Sequence, residues 1–209
     1  MKENDKNLIW IKQYDGDANA VNAKTQSSNY KQTTTKIKLA LLDLLRDIQL
    51  SQVSITNLVK VAGVYRATFY LHYKSINDVI VDIEKDVYDC YTTTIKEQMK
   101  DIDLFNNMEV LIEKIGQNIQ IDKKYLKVII NTNCFNRLTL KLKELLHETV
   151  IYSFTKFGHM RSDDEFMLAI STFTGGVVFA YRDWINNLDM KFEVLESYIK
   201  KVSKAIFNN

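Results

Sequence analysis

The residues best equipped for chemistry crowd into one short stretch. Residues 55–75 read ITNLVKVAGVYRATFYLHYKS and carry Thr56, Lys60, Tyr65, Arg66, Thr68, Tyr70, His72 and Lys74 within 21 positions. Hydroxyls, cations and aromatic rings interleaved in this way suit phosphate oxygens and base edges. Other chemistries lack their parts. There is no glycine-rich phosphate loop, no Ser or Cys nucleophile in a known elbow, and no carboxylate pair at acid–base spacing, so no enzyme is expected. The three histidines (His72, His147, His159) stand at no metal-ligand spacing with one another or with Cys90 and Cys134. Neither a metal nor a cofactor is expected.

Charge is distributed to match. The net charge over 209 residues is only +2. Residues 31–75, however, hold seven bases (Lys31, Lys36, Lys38, Arg46, Lys60, Arg66, Lys74) against Asp43 and Asp47. A small basic module joined to a mildly acidic body suits a protein whose front meets a polyanion, although a solvated face has the same composition.

The elements that must position these residues are helical. Proline is absent and Gly numbers 6, which argues against a turn-rich β fold and for long helices. Residues 1–32 are polar and read as a flexible arm. The Thr33-Thr34-Thr35 cluster is a natural N-cap for a helix burying Ile37, Ala40, Leu41, Leu44, Leu45 and Ile48. Ser54 caps a second helix, with Ile55, Leu58, Val59 and Ala62 inward, and Gly63 supplies the left-handed residue that ends it. A short third helix follows, from about Tyr65 to His72, with Phe69 and Tyr73 inward. Ser75 and Asp78 form a capping box that opens a fourth helix reaching about Lys100. Helices are expected further on near 105–120, 123–132, 136–157, 163–187 and 191–207. The fold class is all-α, with no internal repeat.

Helix, glycine turn and short helix make the geometry of a helix-turn-helix, whose second helix enters the major groove of DNA. The stretch Ile55 to Ile80, 26 of 209 residues, resembles the DNA-binding signature of the TetR/AcrR family of transcription regulators. Its marks are Ala62-Gly63-Val64, then Thr68-Phe69-Tyr70-Leu71-His72-Tyr73, then Lys74, Ser75 and Asp78. The resemblance implies an N-terminal three-helix DNA-binding domain over residues 33–80. A larger helical effector-binding and dimerisation domain over residues 81–209 would follow it. It also implies that Ser54, Thr56, Tyr65, Arg66, Ala67, Thr68, Tyr70, His72 and Lys74 meet DNA, with Thr56 and Lys74 on phosphate and Arg66 on a base or phosphate. Two positions depart from the pattern. Tyr65 replaces a small polar cap, so the helix start is less well held or the phenol itself reaches a phosphate. Ile76 stands where a lysine is often found.

Partners follow from the same resemblance: a palindromic double-stranded operator, a second copy of the chain, and a small-molecule effector, with repression the usual mode. Candidate effector residues are Phe105, Met108, Tyr125, Phe135 and Tyr152, in a pattern that equally describes plain core. Candidate dimer residues are Gly175, Gly176 and Phe179 on the penultimate helix and Leu195, Tyr198, Ile199 and Val202 on the last. The glycine pair marks either a close crossing at a two-fold axis or a kink within one subunit. The second functional reading is an interaction protein or coactivator of the same fold with lost or altered DNA binding. Two cysteines and no cationic–apolar leader or membrane-length apolar run point to the cytoplasm.

Overall fold

The apolar spacing that opens at Ile37 lies on a helix that begins much earlier. The structure, a computed structural model, describes residues 24–130, 135–187 and 189–207. In it α1 spans Lys24–Leu44. The threonines expected to cap it lie inside it. Thr33 Oγ1 donates to the Asn29 carbonyl (2.9 Å) and Thr34 Oγ1 to that of Lys31 (2.8 Å). Hydroxyls bonded back to the preceding turn are no longer caps. Of the expected arm, residues 24–32 are therefore helical and residues 1–23 lie outside the described residues. The buried band of α1 is Ile37 to Leu42, whereas Leu44, Leu45 and Ile48 are only half-buried.

A short 3₁₀ turn, Leu50–Gln52, leads to α2 (Ile55–Ala62). Ser54 Oγ accepts from the Asn57 amide at 3.1 Å, as its position predicts. Gly63 ends α2 at φ 64°, which a residue with a Cβ adopts only with strain. Next come α3 (Arg66–His72) and α4 (Ile76–Met99). The predicted capping box is in place: the Ser75 amide donates to Asp78 Oδ2 (2.8 Å) and the Asp78 amide to Ser75 Oγ (3.2 Å).

The chain divides into two compact units, parting between Cys90 and Tyr91. In the first, Ile37, Leu41, Leu42, Leu58, Phe69, Ile80 and Ile83 are fully buried. Lys38 lies among them at 4% exposure. Its ammonium sits 2.7 Å from Asp82 Oδ2 and 2.5 Å from Asp86 Oδ2, both on α4. The Tyr73 hydroxyl, at the end of α3, donates to the same Asp82 oxygen at 2.7 Å. Burial, then Asp82 itself, pushes the Tyr73 phenol pKa well up, so it stays a donor. Lys38 therefore belongs to the core and not to the basic face on which the charge count placed it.

The second unit holds α5 (Met108–Ile130), α6 (Phe135–Lys156), α7 (Asp164–Asn186) and α8 (Phe192–Phe207). Two helices expected on either side of residue 121 are one, since neither Gly nor Pro interrupts residues 117–130. Inside it, Gly116 leaves room for the Phe192 ring, which a Cβ at 116 would strike. Asp163 caps α7 by accepting from the Phe166 amide at 2.9 Å. Phe154, Phe166 and Phe173 surround Phe207, with ring centroids 5.2 to 6.2 Å from it. No described helix is long and apolar enough to cross a membrane.

Removing Lys38 would leave the Asp82 and Asp86 carboxylates without the cation between them. Lys38→Ala is expected to lower the free energy of unfolding by about 3–5 kcal/mol, measured by urea denaturation. A loss below about 1 kcal/mol would show that water already screens the pair.

Candidate nucleic-acid interface

The turn at Gly63 sets α3 against α2. Val64 closes the turn by donating its amide to the Val59 carbonyl at 3.0 Å. Phe69 and Tyr73 point inward as their spacing predicts, and the rest of α3 is sorted around them. Arg66, Ala67 and Tyr70 are exposed, Thr68 is half-buried, and Lys74 is exposed just beyond the helix.

Arg66 is held rather than free. Its guanidinium donates to Thr56 Oγ1 of α2 (3.3 Å) and to the Tyr70 hydroxyl one turn on (3.2 Å). Two hydroxyls thus fix the fork at the edge where α2 and α3 meet, leaving other donors outward. Tyr65 occupies the N-cap of α3 without a side-chain hydrogen bond and is 85% exposed. Ser54, also exposed, spends its hydroxyl on its cap.

His72 differs from the expectation of an outward residue. It is half-buried, with its ring 4.1 Å from that of Tyr30 on α1, and its Nδ1 is buried with no hydrogen-bond partner among the described residues. Burial lowers its pKa, which favours the neutral ring. Tyr30 lies in the part of α1 that sequence patterning assigned to the arm. Leu71, to which the sequence reading gave no role, stands 79% exposed.

The candidate effector residues are described only in part. Met108 is buried, and Phe105 stacks on His159 at 4.4 Å with its edge to Phe154. The side chains of Tyr125 and Phe135 lie outside the described residues. Tyr152 lines a cavity of about 410 Å³ with Lys96, Met99, Lys100, Glu148 and Thr149, none of which periodicity distinguished.

The dimer candidates split as well. Leu195 and Ile199 are buried inside their own unit, where α8 packs on α5 and α7, so neither is available to a second copy. Val202 is half-buried. Gly176, Phe179 (48% exposed) and Tyr198 (64%) face outward. α7 continues through the glycine pair, and a Cβ at Gly176 would meet nothing within 4 Å, while one at Gly175 would meet only Lys143 Cε at 3.9 Å.

No family model matches the chain, and no curated protein matches it. Among solved structures it is similar to the dihydroxyacetone kinase operon activator DhaS. That match has a TM-score of 0.61 and covers 84% of this chain and 96% of that one, at 17% sequence identity. The fold is accordingly all-α, an N-terminal helix-turn-helix domain followed by a larger helical domain.

Tyr65→Ser would give α3 the cap it lacks, since a serine hydroxyl there can accept from the Thr68 amide. The variant is expected to gain about 0.5–1 kcal/mol in urea denaturation. An unchanged or lower stability would mean that the Tyr65 ring already contributes more than a cap.

Proposed function

We propose that the chain is a dimeric, sequence-specific DNA-binding transcription regulator of the TetR/AcrR type, acting in the cytoplasm and answering to a small-molecule effector. One observation carries it: a glycine turn presents a short helix whose guanidinium is aimed by Thr56 and Tyr70. In this reading residues 33–80 contact DNA. Thr56 and Lys74 hold phosphate, Arg66 reaches a base edge, and Ser54, Tyr65, Ala67, Thr68, Tyr70 and His72 border them. Residues 81–209 carry the effector and dimer functions, with the cavity at Tyr152 as the effector candidate.

Repression relieved by the effector is the proposed mode. A protein seated on an operator obstructs transcription by occupancy alone, whereas activation needs a further contact. DhaS, to which the chain is similar in fold, is an operon activator. A reporter driven by the selected operator separates the two by the sign of its response.

Arg66 and Lys74 should fail differently. Arg66→Ala is expected to weaken operator binding by roughly 1–3 kcal/mol while non-specific binding changes little. Lys74→Ala should weaken both about equally and flatten the salt dependence by about one unit of slope. Titrations of operator and scrambled duplex across a salt series measure both. A protein that binds neither duplex supports the interaction-protein reading instead.

Dimerisation answers a geometric need: one short helix makes few contacts, and a two-fold pair places two of them about 34–36 Å apart, one DNA turn. The proposed contact is the outward face of α7 and α8 around Gly176, Phe179 and Tyr198. A Cβ at 176 meets nothing within 4 Å, so Gly176→Arg is expected to keep its helical circular dichroism yet sediment as a monomer and lose the operator. A folded variant that remains a dimer would place the interface elsewhere.

A further inference from the structure

We propose that Ala67 and Leu71 form the base-reading apex of α3 and select thymine through its 5-methyl group. The inference rests on the DNA-binding reading above and names the chemistry of its specificity.

An α-helix turns by about 100° per residue, so positions two before and two after Phe69 both lie about 160° from it. Those positions are Ala67 and Leu71. Phe69 is fully buried and fixes the inward direction, so Ala67 and Leu71 straddle the line pointing straight out. Exposure agrees: Leu71 is the most exposed large apolar side chain of α3, and Ala67 is exposed too. The polar residues stand at the flanks. Arg66 and Tyr70 lie on the side towards Thr56 of α2, and the half-buried Thr68 and His72 on the other.

A single exposed leucine needs no explanation. Here, however, both residues at the point of the helix lack any donor or acceptor, while donors border them. In the major groove guanine, cytosine and adenine present only donors and acceptors, and thymine alone adds an apolar group, its C5 methyl. Over a G·C pair, Leu71 would strip water from O6, N7 and N4 without replacing those hydrogen bonds, which is costly. Over thymine it would bury a methyl against its own methyls, which is favourable. The apex therefore selects an A·T pair with the thymine methyl towards Leu71. Its continuity with Arg66 and Lys74 commits it to DNA rather than to a protein surface.

The test begins with the full chain and a pool of random duplexes, from which bound sequences are recovered. Each thymine of the recovered half-site is then replaced by deoxyuridine, which keeps every hydrogen-bonding group and removes the methyl. Roughly three- to tenfold weaker binding is expected at one or two adjacent thymines and little change at the others. In Leu71→Ala the same replacement should cost less than about twofold, because the methyl's partner is already gone. Leu71→Asn should shift the preferred base at that position towards adenine, which Asn reads through N6 and N7. Selective binding that tolerates deoxyuridine everywhere overturns the inference and leaves the regulator reading standing. Recovery of no selected sequence overturns both. A Leu71→Ala chain with altered sedimentation and unaltered DNA affinity also overturns it, by assigning the apex to a protein contact.

Discussion

A lysine withdrawn from water organises the first unit. Lys38 on α1 reaches Asp82 and Asp86, one turn apart on α4, and Asp82 in turn receives the Tyr73 hydroxyl at the end of α3. Three helices thereby meet at one cluster. A buried ion pair of this kind often adds little stability over an apolar substitute. What it supplies is direction. A rotation of α1 by one position would carry the fully buried Ile37 and Leu41 off the core and would also leave two carboxylates without their cation. The pair thus fixes which face of α1 meets α4, and through Tyr73 it fixes where α3 ends.

That matters because α3 cannot hold itself. Seven residues are far below the length at which a helix is stable in water, and Tyr65 gives this one no side-chain cap. Its order comes from outside: Phe69 and Tyr73 beneath it, Gly63 before it, Arg66 bonded across to Thr56, and His72 against Tyr30. The surface it presents is a property of the whole unit.

What could be read from sequence was local. Ser54, Gly63 and the Ser75–Asp78 box declare themselves because a cap or a left-handed residue is decided within a few positions. Thr33 and Thr34 misled because a hydroxyl serves a cap or a preceding carbonyl equally well, and only the rest of α1 decides which. The partners of Lys38 lie 44 and 48 residues further on, beyond any local signal. On α8, the spacing of Leu195 and Ile199 announces burial but not the surface they are buried against, and their own unit covers them. At the candidate interface, Arg66, Ala67 and Tyr70 were legible as outward residues. Leu71 was given no role there, although its outward angle follows from the helical spacing once Phe69 is placed inward.

Removing Lys38 from the surface also changes the electrostatic argument. Residues 24–90 hold nine bases and seven acids, and Arg46 faces Asp43 at 3.6 Å. Among the described residues of this unit the exposed cations outside an ion pair are Lys36, Lys60, Arg66 and Lys74, and Lys85 is weakly paired at 3.9 Å from Asp89. A DNA reader with so few charges to set against phosphate draws little affinity from counterion release, which scales with the number of phosphates neutralised. Discrimination in such a unit must come from base edges and from pairing two helices on one duplex. The proposed reading face, an apolar apex beside a single aimed guanidinium, follows the same economy: it would contribute little attraction to DNA in general and depend on the right bases being beneath it.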